Sequence, residues 1–236
     1  MSEHISSAFD RDLEAVTGLV MRMGGHVEAA ILNAVTSLVQ RDLELAEQVR
    51  AGDKVIDALE LTIGEEAARI IALRAPVSKD LRGLLTILRL AASLERIGDY
   101  SKNIAKRTSV LVEMPAVNGS AAALRRMARE VQSMLKDTLD AYVRADAALA
   151  EDVRQRDLEV DQMYNALFRE FLTFMMEDPR NITPCMHLHF MAKNIERMGD
   201  LTTNMAEQVI YQVTGEMPDE ARPKGDKTAF LTDLRD

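Results

Sequence analysis

Along the first forty residues apolar side chains return every three or four positions: Leu13, Val16, Leu19, Val20, Met23, Val27, Ala30, Ile31, Ala34 and Leu38. That period is one face of an α-helix, not the alternation of a half-buried strand. It predicts a helix from about Phe9 to Val39, with Gly24-Gly25 inside it as a bend or a point of close packing. Prolines punctuate the rest. The six, at 76, 115, 179, 184, 218 and 223, leave 1–75, 77–114 and 120–178 free to form long helices. Arg41-Asp42 makes a turn in which Asp42 can cap a second helix, running to about Arg74. Ser78 can cap a third, to about Val112, and Ser120 a fourth, to about Arg144. Asp146 opens a fifth that ends before Pro179, and the sixth runs from Asn181 or Pro184 to Val213, where Gly215 can stop it. The fold class is therefore all-α, with six long helices.

The pattern also repeats. Residues 95–105 read Glu-Arg-Ile-Gly-Asp-Tyr-Ser-Lys-Asn-Ile-Ala, and 101 positions later 196–206 read Glu-Arg-Met-Gly-Asp-Leu-Thr-Thr-Asn-Met-Ala. Residues 45–57 match 149–161 at an offset of 104. The change of offset falls at the turns around Pro76 and Pro179, where length changes are tolerated. Two tandem three-helix bundles related by duplication follow, at 7–113 and 120–215, joined through Met114–Gly119. Residues 216–236 are polar and expected to form a mobile tail, with Phe230 and Leu231 docking weakly.

One core stripe is chemically unusual. On the second helix Ala46, Val49, Asp53, Asp57, Glu60, Gly64, Ala67 and Ile71 share a face whose ends are apolar and whose middle is acidic. Its copy has Asp157 and Asp161, but Tyr164 replaces the third acid. On the third helix Glu95 and Asp99 stand one turn apart, as do Glu196 and Asp200 on the sixth. Antiparallel packing of neighbouring helices would gather Asp53, Asp57, Glu95 and Asp99 into one cluster, and Asp157, Asp161, Glu196 and Asp200 into another. Carboxylates so crowded need cations, protons or open water. All-oxygen ligation suits magnesium, manganese or iron, with zinc also compatible. Asn103 and Asn204 could add an amide oxygen or an outer hydrogen bond. The plainer reading is a solvated acidic face paired with Arg82, Arg89, Arg96 or Arg197; repetition of the pattern in both halves favours the metal. His187 and His189 diverge on a helix, and Cys185 reads as a small core residue.

Composition narrows the function. Net charge is −9, from 29 basic and 38 acidic residues, and the bases are dispersed, which disfavours nucleic-acid binding. One cysteine permits no internal disulfide, no apolar run reaches the roughly 20 residues of a membrane span, and Met1-Ser-Glu-His has no signal-peptide character. Cytoplasm is the expected location. No P-loop, nucleophile elbow, dinucleotide turn or HExxH is present, so nothing points to an enzyme.

Asp-Lys-x-x-Asp at 53–57, Glu-Arg-Ile-Gly-Asp at 95–99, Glu-Asp-Pro-Arg-Asn-Ile at 177–182 and Asn-Ile-Glu-Arg-Met-Gly-Asp at 194–200 together resemble the PhoU family of phosphate-specific transport accessory proteins. The likeness covers about residues 7–215. It implies a cytoplasmic negative regulator of phosphate uptake and the phosphate regulon, an adaptor between the phosphate ABC transporter ATPase and a phosphate-sensing histidine kinase, often a homodimer. It also implies metal clusters on Asp53, Asp57, Glu95 and Asp99, and on Asp157, Asp161, Glu196 and Asp200. Leu158 in place of Lys54, and Leu201 where the family commonly has His, set the second cluster apart. Two rivals stand beside this: a carboxylate-bridged metal enzyme, and a metal-free helical docking adaptor.

Overall fold

A computed structural model describes residues 2–218, with side chains from residue 8 onward. The expected tail beyond Pro218, with Phe230 and Leu231, lies outside the described residues. Six helices form: α1 (Ser2–Gln40), α2 (Leu43–Arg74), α3 (Ser78–Leu111), α4 (Ser120–Arg144), α5 (Ala147–Glu177) and α6 (Ile182–Thr214), with a short 3-10 turn (Pro179–Asn181) before the last. Two of the four proposed start signals act as expected. The Asp42 carboxylate accepts the Leu45 N–H at 2.9 Å, and Asp146 accepts those of Ala148 and Leu149 at 3.0 Å. Ser78 and Ser120 do not cap. Ser78 is already the first residue of α3, at φ 50°, and Ser120 is buried inside α4 behind Gly119, which turns the chain at φ 79°. Gly215 closes α6 in the left-handed region, as its position suggests. α1 begins at Ser2, seven residues before the predicted start at Phe9.

Within each half the three helices pack on one another, except that α4, α5 and α6 receive the 3-10 turn between the last two. The halves then join twice, α1 against α4 and α3 against α6. α1, α3, α4 and α6 are thus the central helices, while α2 flanks one side and α5 the other. The buried apolar residues of all six helices form one continuous core across the seam. Gly24 shows why no helix break occurs at Gly24-Gly25. A Cβ there would sit 2.4 Å from Leu139 Cδ1 of α4, so the glycine lets α1 and α4 approach. Cys185 is fully buried in this core.

Candidate functional site

The acidic motifs meet between a flanking helix and its central neighbour. α2 and α3 run antiparallel, so Asp53 reaches Lys102 while Asp57 and Glu60 lie toward Asp99 and Glu95. The glycine of Glu-Arg-x-Gly-Asp makes the approach possible. A Cβ on Gly98 would stand 3.0 Å from Ile56 Cδ1 and 3.7 Å from Asp53 Oδ1. In the other half a Cβ on Gly199 would stand 3.3 Å from Val160 Cγ1 and, again, 3.7 Å from Asp157 Oδ1. Each mid-helix glycine therefore serves packing at the point where the buried aspartate sits, which explains its recurrence without any ion.

In the first cluster Asp53 is only 3 % exposed. Its Oδ2 accepts a hydrogen bond from the Lys102 ammonium, which also reaches Asp99 Oδ1 at 3.2 Å. Asp53 Oδ1 is buried and accepts nothing. These bonds raise the Lys102 pKa above its ordinary value, chiefly through Asp53, against the cost of its burial. Glu95 is pushed up by burial first, then by Asp99, Asp57, Glu60 and Asp53; Asp57 is pushed up by burial and by Asp53, with Lys102 opposing and Asp99 adding. An acid that binds its proton more tightly folded than unfolded withdraws stability as pH rises from its ordinary value, 4.5 for Glu95, through the raised one. Glu95→Gln should then leave the melting temperature of chelator-treated protein unchanged below pH 4.5. At pH 7 it should raise it by about 1–3 °C, from relief of like-charge repulsion. A pH-independent difference between the two proteins, measured by thermal circular dichroism, would contradict the repulsion.

The second cluster departs from the first. Asp157, Asp161 and Glu196 are all buried, and Asp200 is half-buried. The position equivalent to Lys102 is Thr203, whose hydroxyl turns back onto the Gly199 carbonyl at 3.0 Å. Cations arrive from elsewhere: Lys193 Nζ lies 2.9 Å from Glu196 Oε1 and 4.9 Å from the Tyr164 ring centre. Arg154, 5 % exposed, pairs with Glu151 at 2.7 Å and Glu207 at 3.4 Å. Tyr164 is buried where the first half has Glu60, and its ring lies against His189 at 6.0 Å between centroids. His189 also meets Phe168 at 5.4 Å, which makes it an aromatic packing residue.

Among the described residues no three acid, imidazole or thiol groups are drawn together tightly enough to hold an ion as they stand. The donor set still fits a hard cation in the first half: an orphaned buried carboxylate oxygen on Asp53, with Asp57 and Glu95 raised by burial and by neighbouring acids, and Asp99 beside them. The Lys102 ammonium stands where such a cation would compensate Asp53 and Asp99. Asn103 and Asn204 are exposed, and Asn103 lines a different cavity beside His187. Sequence reasoning missed Lys102, Lys193 and Arg154. Lys102 was within reach, since it continues the stripe of Glu95 and Asp99 at the next three-residue step.

The class is thus a tandem three-helix protein with an acid cluster in the groove of each half. Residues 20–108 and 124–209 each match the family model of the PhoU domain. This chain belongs to the PhoU family. It is 45 % identical over 233 residues to the phosphate-specific transport system accessory protein PhoU homolog of Rhizobium meliloti, covering 99 % of this chain and 98 % of that one. The homolog of the same name from Caulobacter vibrioides is 45 % identical over 96 % of this chain and 98 % of its own length. The crystal structure of PhoU from Pseudomonas aeruginosa superposes with a TM-score of 0.85 at 40 % identity, over 88 % of this chain and all of that one. That of the phosphate transport system regulatory protein PhoU from Streptococcus pneumoniae does so with 0.81 at 29 %, over 90 % and 100 %. No helix among the described residues is long and apolar enough to cross a membrane.

Proposed function

We propose that this chain is the accessory protein of a phosphate-specific transport system, acting as a cytoplasmic negative regulator of phosphate uptake and of phosphate-starvation genes. In this reading it is a homodimeric adaptor between the transporter ATPase and a phosphate-sensing histidine kinase, not a catalyst. The observation that carries the reading is near full-length identity of 45 % to relatives bearing that name. We further propose that Asp53, Asp57, Glu95 and Asp99 hold a metal ion, and that Asp157, Asp161, Glu196 and Asp200 form a second, less symmetric site. Supporting the first is the buried, unsatisfied Asp53 Oδ1 among acids that repel one another. A bound iron, manganese, magnesium or zinc ion would supply positive charge there and tie α2 to α3. For that, Lys102 has to release Asp53 and Asp99 by swinging its half-exposed side chain toward water.

The test pairs composition with regulation. Elemental analysis of untagged protein, purified without chelator, is expected to find metal that falls by at least half in Asp53→Asn/Asp99→Asn. Helical circular dichroism should be unchanged. Cells carrying that variant should express phosphate-starvation genes in high phosphate, and the wild type should retain the transporter ATPase and the kinase in pull-downs. Metal absent from the wild type would overturn the metal part alone. Normal repression in a deletion strain would overturn the regulatory part.

A further inference from the structure

The α3–α6 seam holds a basic cavity that the acid clusters do not use. It encloses about 250 Å³ and is lined by Asn103, Lys106, Arg107 and Val110 of α3 and His187 of α6. Asn103, Lys106, Arg107 and Val110 follow one another at helical spacings of three and four, so they present one edge of α3. Arg107 is half-buried and held in place: its guanidinium lies 4.5 Å from the Phe190 ring centre, and Nη1 is 3.3 Å from His187 Nδ1. A guanidinium only donates, so His187 Nδ1 accepts and the ring proton resides on Nε2. Burial and Arg107 together lower the His187 pKa, which keeps the ring neutral.

Among the described residues the cavity lining includes no carboxylate. Among the described residues neither Lys106 nor Arg107 forms an ion pair with a carboxylate, although acids outnumber bases in the chain. Other half-buried or buried cations do meet acids, as Arg74 does at Asp12, Arg154 at Glu151 and Arg156 at Asp137. Further along the same seam Arg82 lies over Tyr211 and Arg89 bonds Gln208, so the groove collects guanidiniums without carboxylates. A fixed fork of donors, an ammonium, an amide and an imidazole N–H around open space suit an anion with several oxygens.

We propose that this cavity binds a phosphoryl oxyanion, separately from the metal clusters, through Arg107, Lys106, Asn103 and His187. The preference for phosphate among oxyanions rests on the transport reading above; the preference for an oxyanion rests on the cavity alone. Two sources share this chemistry, free inorganic phosphate and a phosphate monoester, and titration separates them.

Isothermal titration of the full chain, as purified and after chelation, would use inorganic phosphate, phosphoserine and sulfate. The expected result is binding of phosphate or phosphoserine in both preparations, with sulfate weaker. The tighter of the two names the source. Arg107→Gln should weaken binding by about 10–100-fold, the range of a lost charge-assisted hydrogen bond. Lys106→Glu, at an exposed position, should abolish it without touching the core, and so covers the case in which Arg107→Gln fails to fold. The control Arg144→Gln, exposed at the end of α4 and paired with Asp140, should change nothing. Binding that disappears on chelation would place the anion on a metal and overturn the cavity site. Equal affinity in Arg107→Gln or Lys106→Glu, or no heat at ~10 mM of either phosphate ligand, would overturn it as well. None of these failures would alter the repression phenotype that tests the regulatory reading.

Discussion

Replacing Lys102 by Met should lower the melting temperature of chelator-treated protein by about 5–10 °C, a loss of roughly 2–4 kcal/mol in a chain of this size. The effect is large because the partner left behind is Asp53, whose side chain is 4 % exposed, not because the ammonium itself is buried. A lysine 42 % exposed would contribute little to a surface pair. Here it is the described compensation for a carboxylate that water does not reach, and its loss leaves both Asp53 oxygens without a donor. Methionine keeps most of the stem and its packing, so the deficit reports the charge. Adding manganese to the variant should recover part of the loss, since a cation on the same oxygens replaces the ammonium. A shift below about 2 °C would show that the contact contributes nothing beyond an ordinary exposed pair.

The second large effect is expected at Gly98. Valine there places its branched Cβ against Ile56 and Asp53, at distances that already allow no further atoms. Overpacking of this kind costs roughly 1–3 kcal/mol, and the same displacement of α2 from α3 should empty the first of the two proposed metal sites. Ile56→Ala in the Gly98→Val background should restore stability in part, because it removes the atoms that the valine meets. Gly64→Ala is the contrast. No atom lies within 4 Å of a Cβ at Gly64, so alanine there gains about 0.5–1 kcal/mol of helix propensity. Thermal melts of the three variants beside wild type decide the matter, and equal stability of Gly98→Val and wild type would show that the interface yields.

Most of the fold could be read from periodicity and punctuation. The stripe from Leu13 to Leu38, the proline gaps and the duplicated motifs were enough for six helices in two related halves, because helix formation and burial are governed by local spacing. Caps were half legible. Asp42 and Asp146 stand just before their helices, whereas Ser78 and Ser120 are overruled by the left-handed backbone at Ser78 and Gly119, which no propensity encodes. The acid residues were found as motifs, and antiparallel α2 and α3 bring the first set together. The sequence could not show what neutralises them. In the first half the answer is a lysine one step along the same stripe; in the second, Lys193 pairs with Glu196 from a position where the first half has Ala92. Such compensation depends on which side chain reaches across a groove, a three-dimensional matter. Gly98 and Gly199 recur in the duplicated motif, and the close approach of Ile56 and Val160 accounts for them directly.

The double seam, α1 on α4 and α3 on α6, gives the duplication a further meaning. A symmetric dimer repeats every substitution in both subunits, so its two sites are bound to remain alike. Fusing the copies into one polypeptide keeps the shared interface while releasing that constraint, and the α2–α3 and α5–α6 grooves have used the release. One groove retains Glu60 and Lys102; the other has exchanged them for Tyr164 and Thr203 and enlisted His189 as a ring partner. The chain is in effect a dimer written once, alike in its plan of helices and free to specialise groove by groove.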